Sequence, residues 1–406
     1  MNSLRVAVIF DQYIHSGGSY QQQLNDALLV RQIPSNLAEP VYFTTIRENT
    51  STLESFGISA NLLLLSKAAY VFLKLRHCIS HPSFLKAISR LFGSNTFEKQ
   101  LINHNIDLVY FLSAANLASH LEQLNYMTTV LDLCHRDDLE FPEVRCYREF
   151  EKREKYYRTI LTKSVAILTD SQLGKANILN RYGVDNYRVH VMPFQPAQFT
   201  QISNHEYASG YIDIQHKYNL SVPYIFYPAQ FWAHKNHVYI LEGLKALESK
   251  YGIEIGAIFS GTDKGNQTYV ESRVSAFGLD DRIRFPGFVP NNDMPYLYRQ
   301  SLALVMPTYF GPTNLPPLEA FSLGVPVLYS DKTGLREQVD NAALLVDLND
   351  PCSMADMLHK IITDQELRSR LCQNGHQQMN DNIHASRVEA LTSILTDFRR
   401  RRSCWK

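Results

Sequence analysis

The sequence has 406 residues, a length that favours two domains. Hydrophobic residues make up 45% of it and charged residues 20%, as in ordinary globular proteins. Because lysine plus arginine and aspartate plus glutamate number 40 each, no overall basic excess indicates a nucleic-acid-binding protein.

The cysteines and the first residues bear on the cellular compartment. No two of the six cysteines form a Cys-x-x-Cys pair, and we expect reduced thiols in a cytoplasmic protein. The opening residues lack the pattern of a signal peptide, because an acidic residue interrupts their short apolar stretch. No apolar run reaches the roughly 18 residues that a membrane span needs.

Short apolar runs alternate with helical patterns along the chain. Continuous apolar strands between helices predict an α/β fold with buried parallel sheets. The predicted strands are Val6–Phe10, Val41–Thr44, Leu108–Leu112, Thr129–Leu133, Ala166–Thr169, Val189–Met192, Ile225–Tyr227, Ile253–Phe259, Ile283–Phe285, Leu302–Met306, Pro326–Tyr329 and Leu344–Val346.

The alternation lapses over Phe194–Val222, which is polar and aperiodic, and we place a domain boundary there. We expect two Rossmann-like doubly wound domains, residues 1–200 and 223–384, facing a central cleft that binds the ligand. Residues 201–222 would be the linker. A C-terminal helix and basic tail, residues 385–406, would pack back on the N-terminal domain.

A glycine pair follows the first predicted strand, in the segment HSGGSYQQQLNDALL. Gly17 and Gly18 precede a predicted helix, where glycine lets the backbone approach a ligand closely. The segment is not the G-x-G-x-x-G dinucleotide fingerprint. An ordinary tight turn explains the pair equally well.

The segment TTVLDLCHRDDLEFP carries a polar cluster to the carboxyl end of a predicted strand. Asp132 and His135 could orient or deprotonate an acceptor hydroxyl there. A solvated loop with surface ion pairs is the alternative interpretation.

In the segment YIFYPAQFWAHKNHVYILEGL, a strand runs into a loop that carries Lys235. A cation beside helix amides at the end of a strand could neutralise a diphosphate. A solvated surface lysine is the alternative. His234 and His237 are spaced three apart, but no third ligand is near, so we do not expect a metal site.

The segment YFGPTNLPPLEAFSLGVPVLYS predicts a strand, a loop and a helix that opens with Pro316 and Pro317. A helix N-terminus after a strand is an anion site, because free amides and the helix dipole favour a phosphate. Glu319, one turn in, could accept hydrogen bonds from a ribose diol; a capping glutamate is the alternative. The amides expected to bind the phosphate are those of Thr313, Asn314 and Leu315.

Together these segments resemble the retaining glycosyltransferases of family 4, which have the GT-B fold. The resemblance covers nearly the whole chain and is strongest over Tyr224–Asp350. In the N-terminal half it is carried by SGGSYQQ, DLCHRDDLEFP and LTDSQLGKANILNRYGV. It implies that residues 1–200 bind the acceptor and residues 223–384 bind the nucleotide sugar.

The resemblance also implies roles by matched position. Glu319 matches the second glutamate of the family's Glu–seven residues–Glu motif, which holds the donor ribose, and Lys235 matches the lysine on the diphosphate. Gly18 matches the glycine pair over the donor phosphates. The remaining matches are Phe288 and Val289, in the GFV loop that cups the nucleobase, and Glu337, a recurrent acidic residue.

Two positions depart from the family pattern. The first glutamate of the motif would fall at Gly311, and an arginine of the diphosphate site would fall at Gln230. We expect the glycine and Asn314 to supply backbone and amide groups instead, so the sugar contacts differ from the family's.

The resemblance implies a retaining transfer of a hexose, mannose-type or similar, from a nucleoside-diphosphate sugar to a saccharide acceptor. We expect a lipid-linked acceptor in surface polysaccharide synthesis (O-antigen, capsule or exopolysaccharide), with no cofactor and no metal requirement. The alternatives are a non-catalytic sugar-nucleotide-binding subunit of a polysaccharide assembly complex and a sugar 2-epimerase of the same fold.

A basic segment suggests where the protein acts. Residues 55–97 contain five lysines and arginines, no acidic residue and an apolar face at helical spacing. This pattern is typical of a membrane-surface helix, although a core-packing helix shares it. We expect a cytoplasmic protein that contacts the inner face of the membrane through residues 62–92.

Overall fold

The structure is a computed structural model that describes residues 3–14, 18–65, 96–311, 313–380 and 383–405. The chain forms two compact units, each built from separate stretches of sequence. Unit 1 comprises Met1–Leu133, Phe150–Pro193 and His384–Lys406, and unit 2 comprises Cys134–Glu149 and Phe194–Ile383.

The strands and helices alternate through most of both units. The strands are β1 Leu4–Phe10, β2 Ala38–Thr44, β3 Ala60–Leu62, β4 Leu108–Phe111, β5 Asn125–Val130, β6 Ala166–Thr169, β7 Val189–Val191, β8 Tyr224–Pro228, β9 Gly256–Ser260, β10 Ile283–Gly287, β11 Leu304–Met306, β12 Val327–Ser330 and β13 Leu344–Val346. The α-helices are α1 Gly18–Val30, α2 Asn49–Ser55, α3 Thr96–Asn103, α4 Pro142–Arg145, α5 Glu149–Leu161, α6 Gln172–Tyr182, α7 Asn204–Ser209, α8 Ile214–Lys217, α9 His237–Tyr251, α10 Gln267–Ala276, α11 Met294–Arg299, α12 Leu315–Ser322, α13 Leu335–Val339, α14 Pro351–Thr363, α15 Gln365–Asn380 and α16 Ile383–Arg402.

Unit 1 is built on a parallel seven-stranded sheet in the order β3-β2-β1-β4-β5-β6-β7. Strand β1, in the interior of this sheet, carries apolar residues on both faces. Val8 and Phe10 pack into the core on one side of the sheet, and Ala7 and Ile9 pack into the core on the other. This burial on both faces explains why its sequence reads as one continuous apolar run.

The C-terminal helix α16 belongs to the core of unit 1. Leu391, Leu395 and Phe398 pack with residues of β1 and α1. Arg387, fully buried at the start of the helix, forms an ion pair with Asp26 of α1, which is also fully buried. An apolar face and a buried ion pair therefore hold the chain terminus to this unit.

Unit 2 is built on a parallel six-stranded sheet in the order β10-β9-β8-β11-β12-β13. Every residue of Tyr224–Tyr227 in β8 is fully buried, as expected for a central strand covered on both faces. The prediction of two doubly wound Rossmann-like domains is confirmed by these two sheets.

One predicted strand is displaced along the sequence. The fifth strand spans Asn125–Val130 and not the predicted Thr129–Leu133. Thr128 and Thr129 are buried within it, and the Thr128 hydroxyl donates to the Ser113 carbonyl at 3.2 Å. Because these polar residues interrupt the apolar run, the sequence pattern places the strand too late.

The segment expected to be a linker, residues 201–222, carries helices α7 and α8 and lies within unit 2. Its polar residues are helix caps: Ser203 and Glu206 form a capping box, and the Asp213 side chain accepts from the His216 N–H. In the described part of the chain, no helix combines the length and apolarity needed to cross a membrane.

Candidate functional site

The carboxyl ends of β8, β11 and β12 meet at one edge of the unit 2 sheet. The loop after β8, residues 229–236, is here called the β8 loop. Residues 307–311 and 313–314, after β11, are the β11 loop. The Tyr309 N–H of the β11 loop donates to the His234 carbonyl of the β8 loop at 2.9 Å. The main chain thus joins the two loops that carry the predicted diphosphate residues.

Lys235 ends a short 3-10 turn, Ala233–Lys235, at this edge. The turn closes because Asn236 adopts a left-handed conformation, with φ of 56°. The Tyr227 hydroxyl donates to the Lys235 carbonyl at 2.9 Å, and Lys235 Nζ donates to Asn314 Oδ1 at 3.4 Å. The structure therefore brings Lys235 to the residue that precedes α12.

Asn314 is held by a hydrogen-bond network that the sequence analysis missed. Its N–H donates to Gln338 Oε1 at 2.9 Å, and Gln338 Nε2 donates back to the Asn314 carbonyl. The Asn314 side-chain amide donates to the Tyr329 hydroxyl at 2.6 Å. The Asn314 N–H, which we expected to bind a phosphate, donates to Gln338 in this structure, and its contact with a phosphate stays a prediction. The Asn314 side chain instead provides an acceptor for Lys235.

Helix α12 begins at Leu315 with Pro316 and Pro317 in its first turn, as predicted. Glu319 is buried, and its carboxylate accepts from the Tyr298 hydroxyl at 2.6 Å. Burial raises the pKa of Glu319 to about 7, against the opposing effect of the hydrogen bond from Tyr298. A carboxyl group with such a pKa exists in both protonation states near neutrality.

The position of the missing first glutamate is shaped for glycine. Gly311 has φ of +104°, which L-residues rarely adopt. A Cβ atom on it would lie 2.8 Å from the Asn314 side-chain nitrogen. The Gly311 N–H lies 3.2 Å from Cys134 Sγ, to which it donates. A glutamate at this position would therefore strain the backbone and meet the Asn314 side chain.

Gln230 and the nucleobase candidates also lie in unit 2. The Gln230 side chain is bonded at both ends: Nε2 donates to Thr262 Oγ1 at 3.3 Å, and Oε1 accepts from Trp232 Nε1 at 3.1 Å. Phe288, just after β10, is 55% exposed, whereas Val289 is buried. Of the two, Phe288 is the side chain suited to stack on a base.

The predicted acceptor-side residues fall in different units. Asp132 lies in unit 1, where its carboxylate is 40% exposed and 3.6 Å from Arg153 Nη1. His135 lies in unit 2, in a 3-10 turn, and is fully buried. Gly18 begins α1, while Gly17 lies outside the described residues.

A second feature missed by the sequence analysis is the segment 134–149, which we call the strap. It folds as part of unit 2 although it follows β5 in sequence. Asp138 pairs with Lys332, and Glu143 pairs with His234. Contacts across 194 and 91 residues of sequence leave no local pattern from which to predict them.

His237 is a neutral core residue. It is fully buried, with its ring 4.6 Å from that of Phe231 in a stacked arrangement. Burial lowers its pKa to about 3, and the charge of Lys235 adds to that effect. Within the described ranges, no group of three histidine, cysteine, aspartate or glutamate side chains is arranged to hold a metal ion.

Comparison with known proteins agrees with this architecture. The model of the family described as glycosyl transferases group 1 matches residues 212–378. The chain is 27% identical over 225 residues to O-antigen chain mannosyltransferase B of Escherichia coli, covering 53% of this chain and 56% of that protein. It is 28% identical over 210 residues to O-antigen chain mannosyltransferase RfbU of Salmonella typhimurium, covering 51% and 54%. The chain thus spans about half the length of these curated relatives.

Solved structures share the fold over almost the whole chain. WaaG, a glycosyltransferase involved in lipopolysaccharide biosynthesis, has a TM-score of 0.68 at 16% identity, covering 96% of this chain and 99% of that one. Anabaena Alr3699/HepE in complex with UDP has a TM-score of 0.66 at 15% identity, covering 100% of both chains. These similarities confirm the predicted GT-B fold class. Residues 212–378 of the chain are therefore similar to the glycosyl transferases of group 1.

Proposed function

We propose that this protein is a retaining glycosyltransferase of family 4 that moves a hexose from a nucleoside-diphosphate sugar to a saccharide acceptor. The observation that carries the proposal is the arrangement at the start of α12. Lys235 reaches the residue before this helix, and the helix holds the buried carboxyl group of Glu319. A cation, a helix N-terminus and a recessed carboxylate suit a diphosphate followed by a ribose.

Each group has a distinct task in this proposal. The ammonium of Lys235 and the first turn of α12 bind the diphosphate through charge and the helix dipole. Glu319, when ionised, accepts hydrogen bonds from the ribose hydroxyls. As the bond between sugar and phosphate breaks, negative charge grows on the leaving diphosphate, and Lys235 stabilises it. The chain's contribution to the rate is thus mainly electrostatic.

Asp132 is the stronger acceptor-side candidate on exposure alone. Its carboxylate is 40% exposed, whereas the His135 side chain is fully buried. An exposed carboxylate can orient an acceptor hydroxyl without a change in packing. We expect Asp132→Asn to raise the KM for acceptor and to leave the affinity for the nucleotide unchanged.

We propose a mannose-type hexose and a lipid-linked acceptor in O-antigen or related surface polysaccharide synthesis. The two O-antigen mannosyltransferases among the relatives support this. The test is an assay with GDP-mannose, UDP-glucose, ADP-glucose and dTDP-glucose and a polyprenyl-diphosphate-linked saccharide. The anomeric configuration of the product is read by NMR, and retention is the expected result.

We propose that transfer needs no metal ion, since Lys235 already places a cation beside the expected diphosphate. Activity in the presence of EDTA should equal activity in added Mg²⁺. Loss of activity in EDTA that Mg²⁺ restores would refute this point.

Membrane contact through residues 62–92 stays part of the proposal. Most of that stretch, residues 66–92, lies outside the described residues. Flotation with vesicles containing anionic lipid tests it, and we expect the protein to float with anionic vesicles and not with neutral ones.

A second candidate is a subunit that binds a sugar nucleotide without transferring the sugar. Two observations favour it: Gly311 adopts a backbone conformation that disfavours the first motif glutamate, and both ends of the Gln230 side chain are bonded within the protein. Nucleotide binding without transfer or hydrolysis of any donor would select this candidate.

A further inference from the structure

The strap packs on both loops of the proposed diphosphate site. The ring of Phe141 in the strap lies 5.1 Å from that of Phe310 and 5.2 Å from that of Tyr309. Cys134 and Val144 of the strap form a small buried cluster with Phe310. The strap is therefore part of the core of unit 2 beside the site.

One carboxylate of the strap binds the residue just before Lys235. Glu143 Oε1 accepts the His234 N–H at 3.0 Å and is also hydrogen-bonded to His234 Nδ1. Both side chains are nearly buried, His234 at 11% and Glu143 at 9% exposure. Burial pushes the pKa of Glu143 upward, but the hydrogen bonds from His234 outweigh it, and the pKa lies below its ordinary value. The carboxylate is thus ionised at neutral pH.

His234 is fixed from three directions. Its N–H and ring nitrogen bind Glu143, its carbonyl accepts the Tyr309 N–H, and its ring stacks on Phe310 at 4.2 Å between centroids. Such contacts fix the peptide that leads into Lys235. The direction in which the lysine leaves the β8 loop therefore depends on His234.

A second carboxylate anchors the strap on the other side. Asp138 accepts from Lys332 Nζ at 2.6 and 2.8 Å, and the same ammonium donates to the Tyr309 carbonyl at 3.0 Å. Lys332 follows β12, so the strap is tied to loops after two different strands. Two anchors at separate points give the strap a defined position relative to the β8 loop.

We propose that Glu143 is a positioning residue that holds Lys235, through His234, in the place where the lysine contacts the diphosphate of the donor. The inference rests on the proposed function, since it assigns a purpose to the lysine. The strap then has a role beyond packing, because the Glu143 carboxylate, remote in sequence, sets the position of the Lys235 ammonium.

The test compares Glu143→Gln with Glu140→Gln, a matched control that removes the same charge from an exposed side chain of the strap. Affinities for UDP, GDP, ADP and dTDP are measured by titration calorimetry, and the tightest is followed. We expect Glu143→Gln to weaken binding about tenfold, because a displaced ammonium loses part of its charge-assisted contact with the diphosphate. Glu140→Gln should bind as the wild type does.

Two further measurements separate positioning from general loosening. In a Lys235→Met background, Glu143→Gln should change the affinity less than twofold, because the group it positions is gone. Amide exchange followed by mass spectrometry should be faster in residues 229–236 of Glu143→Gln. In Glu140→Gln it should match the wild type.

Unchanged affinity in Glu143→Gln, or an equal loss with and without Lys235, would overturn the inference. If Lys235→Met binds nucleotide too weakly to measure, the amide exchange rates of residues 229–236 provide the test. Wild-type rates in Glu143→Gln would then overturn the inference. If the wild type binds none of the four nucleotides, the proposed function fails instead. Full affinity in Lys235→Met would likewise refute the role of the lysine and not the contacts of the strap.

Discussion

Glu319, which we propose as the ribose-binding residue, lies in a core environment. It is buried, and its pKa is raised to about 7 by burial. The free energy of unfolding that this group contributes is complete below pH 4.5, its ordinary pKa, and is lost as pH rises through about 7. A ligand whose hydroxyls donate to the carboxylate favours the ionised form and so opposes this trend.

Nucleotide-sugar affinity should therefore depend on pH. Because ribose hydroxyls donate to the carboxylate, affinity should rise by up to about tenfold per pH unit below pH 7 and level off above it. Titration calorimetry from pH 5.5 to about 8.5, with the nucleotide sugar that the protein binds, measures this affinity. The diphosphate diester of the nucleotide sugar does not itself titrate in that range. Glu319→Gln should give weaker binding without the slope. A sloping profile in that variant would assign the titration to another group.

The conformation of Gly311 predicts the result of restoring the first glutamate of the family motif. Gly311→Glu should not increase affinity, because the position has φ of +104° and a Cβ would meet Asn314. We expect Gly311→Ala to cost about 1–3 kcal/mol of stability from backbone strain, plus the effect of that contact. Gly265→Ala is the control: it has φ of +98° and open space around the added atom. A melting temperature equally lowered in both variants would show that the Asn314 contact adds nothing.

At the scale of elements, the residues of the proposed diphosphate site lie in loops that follow the unit 2 strands β8 and β11. Helix α12 follows β11 after the β11 loop, and the strap reaches the same edge from a distant part of the sequence. The site therefore depends on elements held by packing elsewhere in unit 2. In unit 1, helix α16 also joins an element that is distant in sequence: its apolar face packs into the core of that unit.

The attachment of α16 to unit 1 predicts a strong effect of one ion pair. Arg387→Met leaves the Asp26 charge buried without its partner, and we expect a loss of about 3–5 kcal/mol. Arg400→Met, which removes an exposed arginine paired with Asp397, should cost about 0–1 kcal/mol. Thermal or urea unfolding of both variants measures the difference.

The double variant Arg387→Met/Asp26→Leu sharpens this test. Replacing both charges with apolar groups should recover part of the loss, because no buried charge is then left alone. A double variant less stable than Arg387→Met would show that the aspartate is needed for other contacts, such as its hydrogen bond with Gln22 at 2.7 Å.

At the scale of the whole molecule, local patterns predicted the two sheets. Lys235 and Glu319 were proposed as site residues because a strand, a loop and a helix follow one another in sequence at each position, and their roles stay predictions. The strap and Gln338 were not found, because Glu143 lies 91 residues from His234 and Gln338 lies 24 residues from Asn314. A hydrogen bond between distant segments has no periodicity, so tertiary structure alone reveals it.

The most direct test of the account is sugar transfer by the wild type and by Lys235→Met, with Lys250→Met as the control. Lys250 lies in the same unit on α9, with its side chain 51% exposed. We expect the wild type to consume one nucleoside-diphosphate sugar with retention of the anomeric configuration. We also expect Lys235→Met to be at least about a hundredfold slower and Lys250→Met to match the wild type, which makes Lys235 essential to the rate. Transfer at the wild-type rate by Lys235→Met, or inversion of the anomeric centre, would contradict the account.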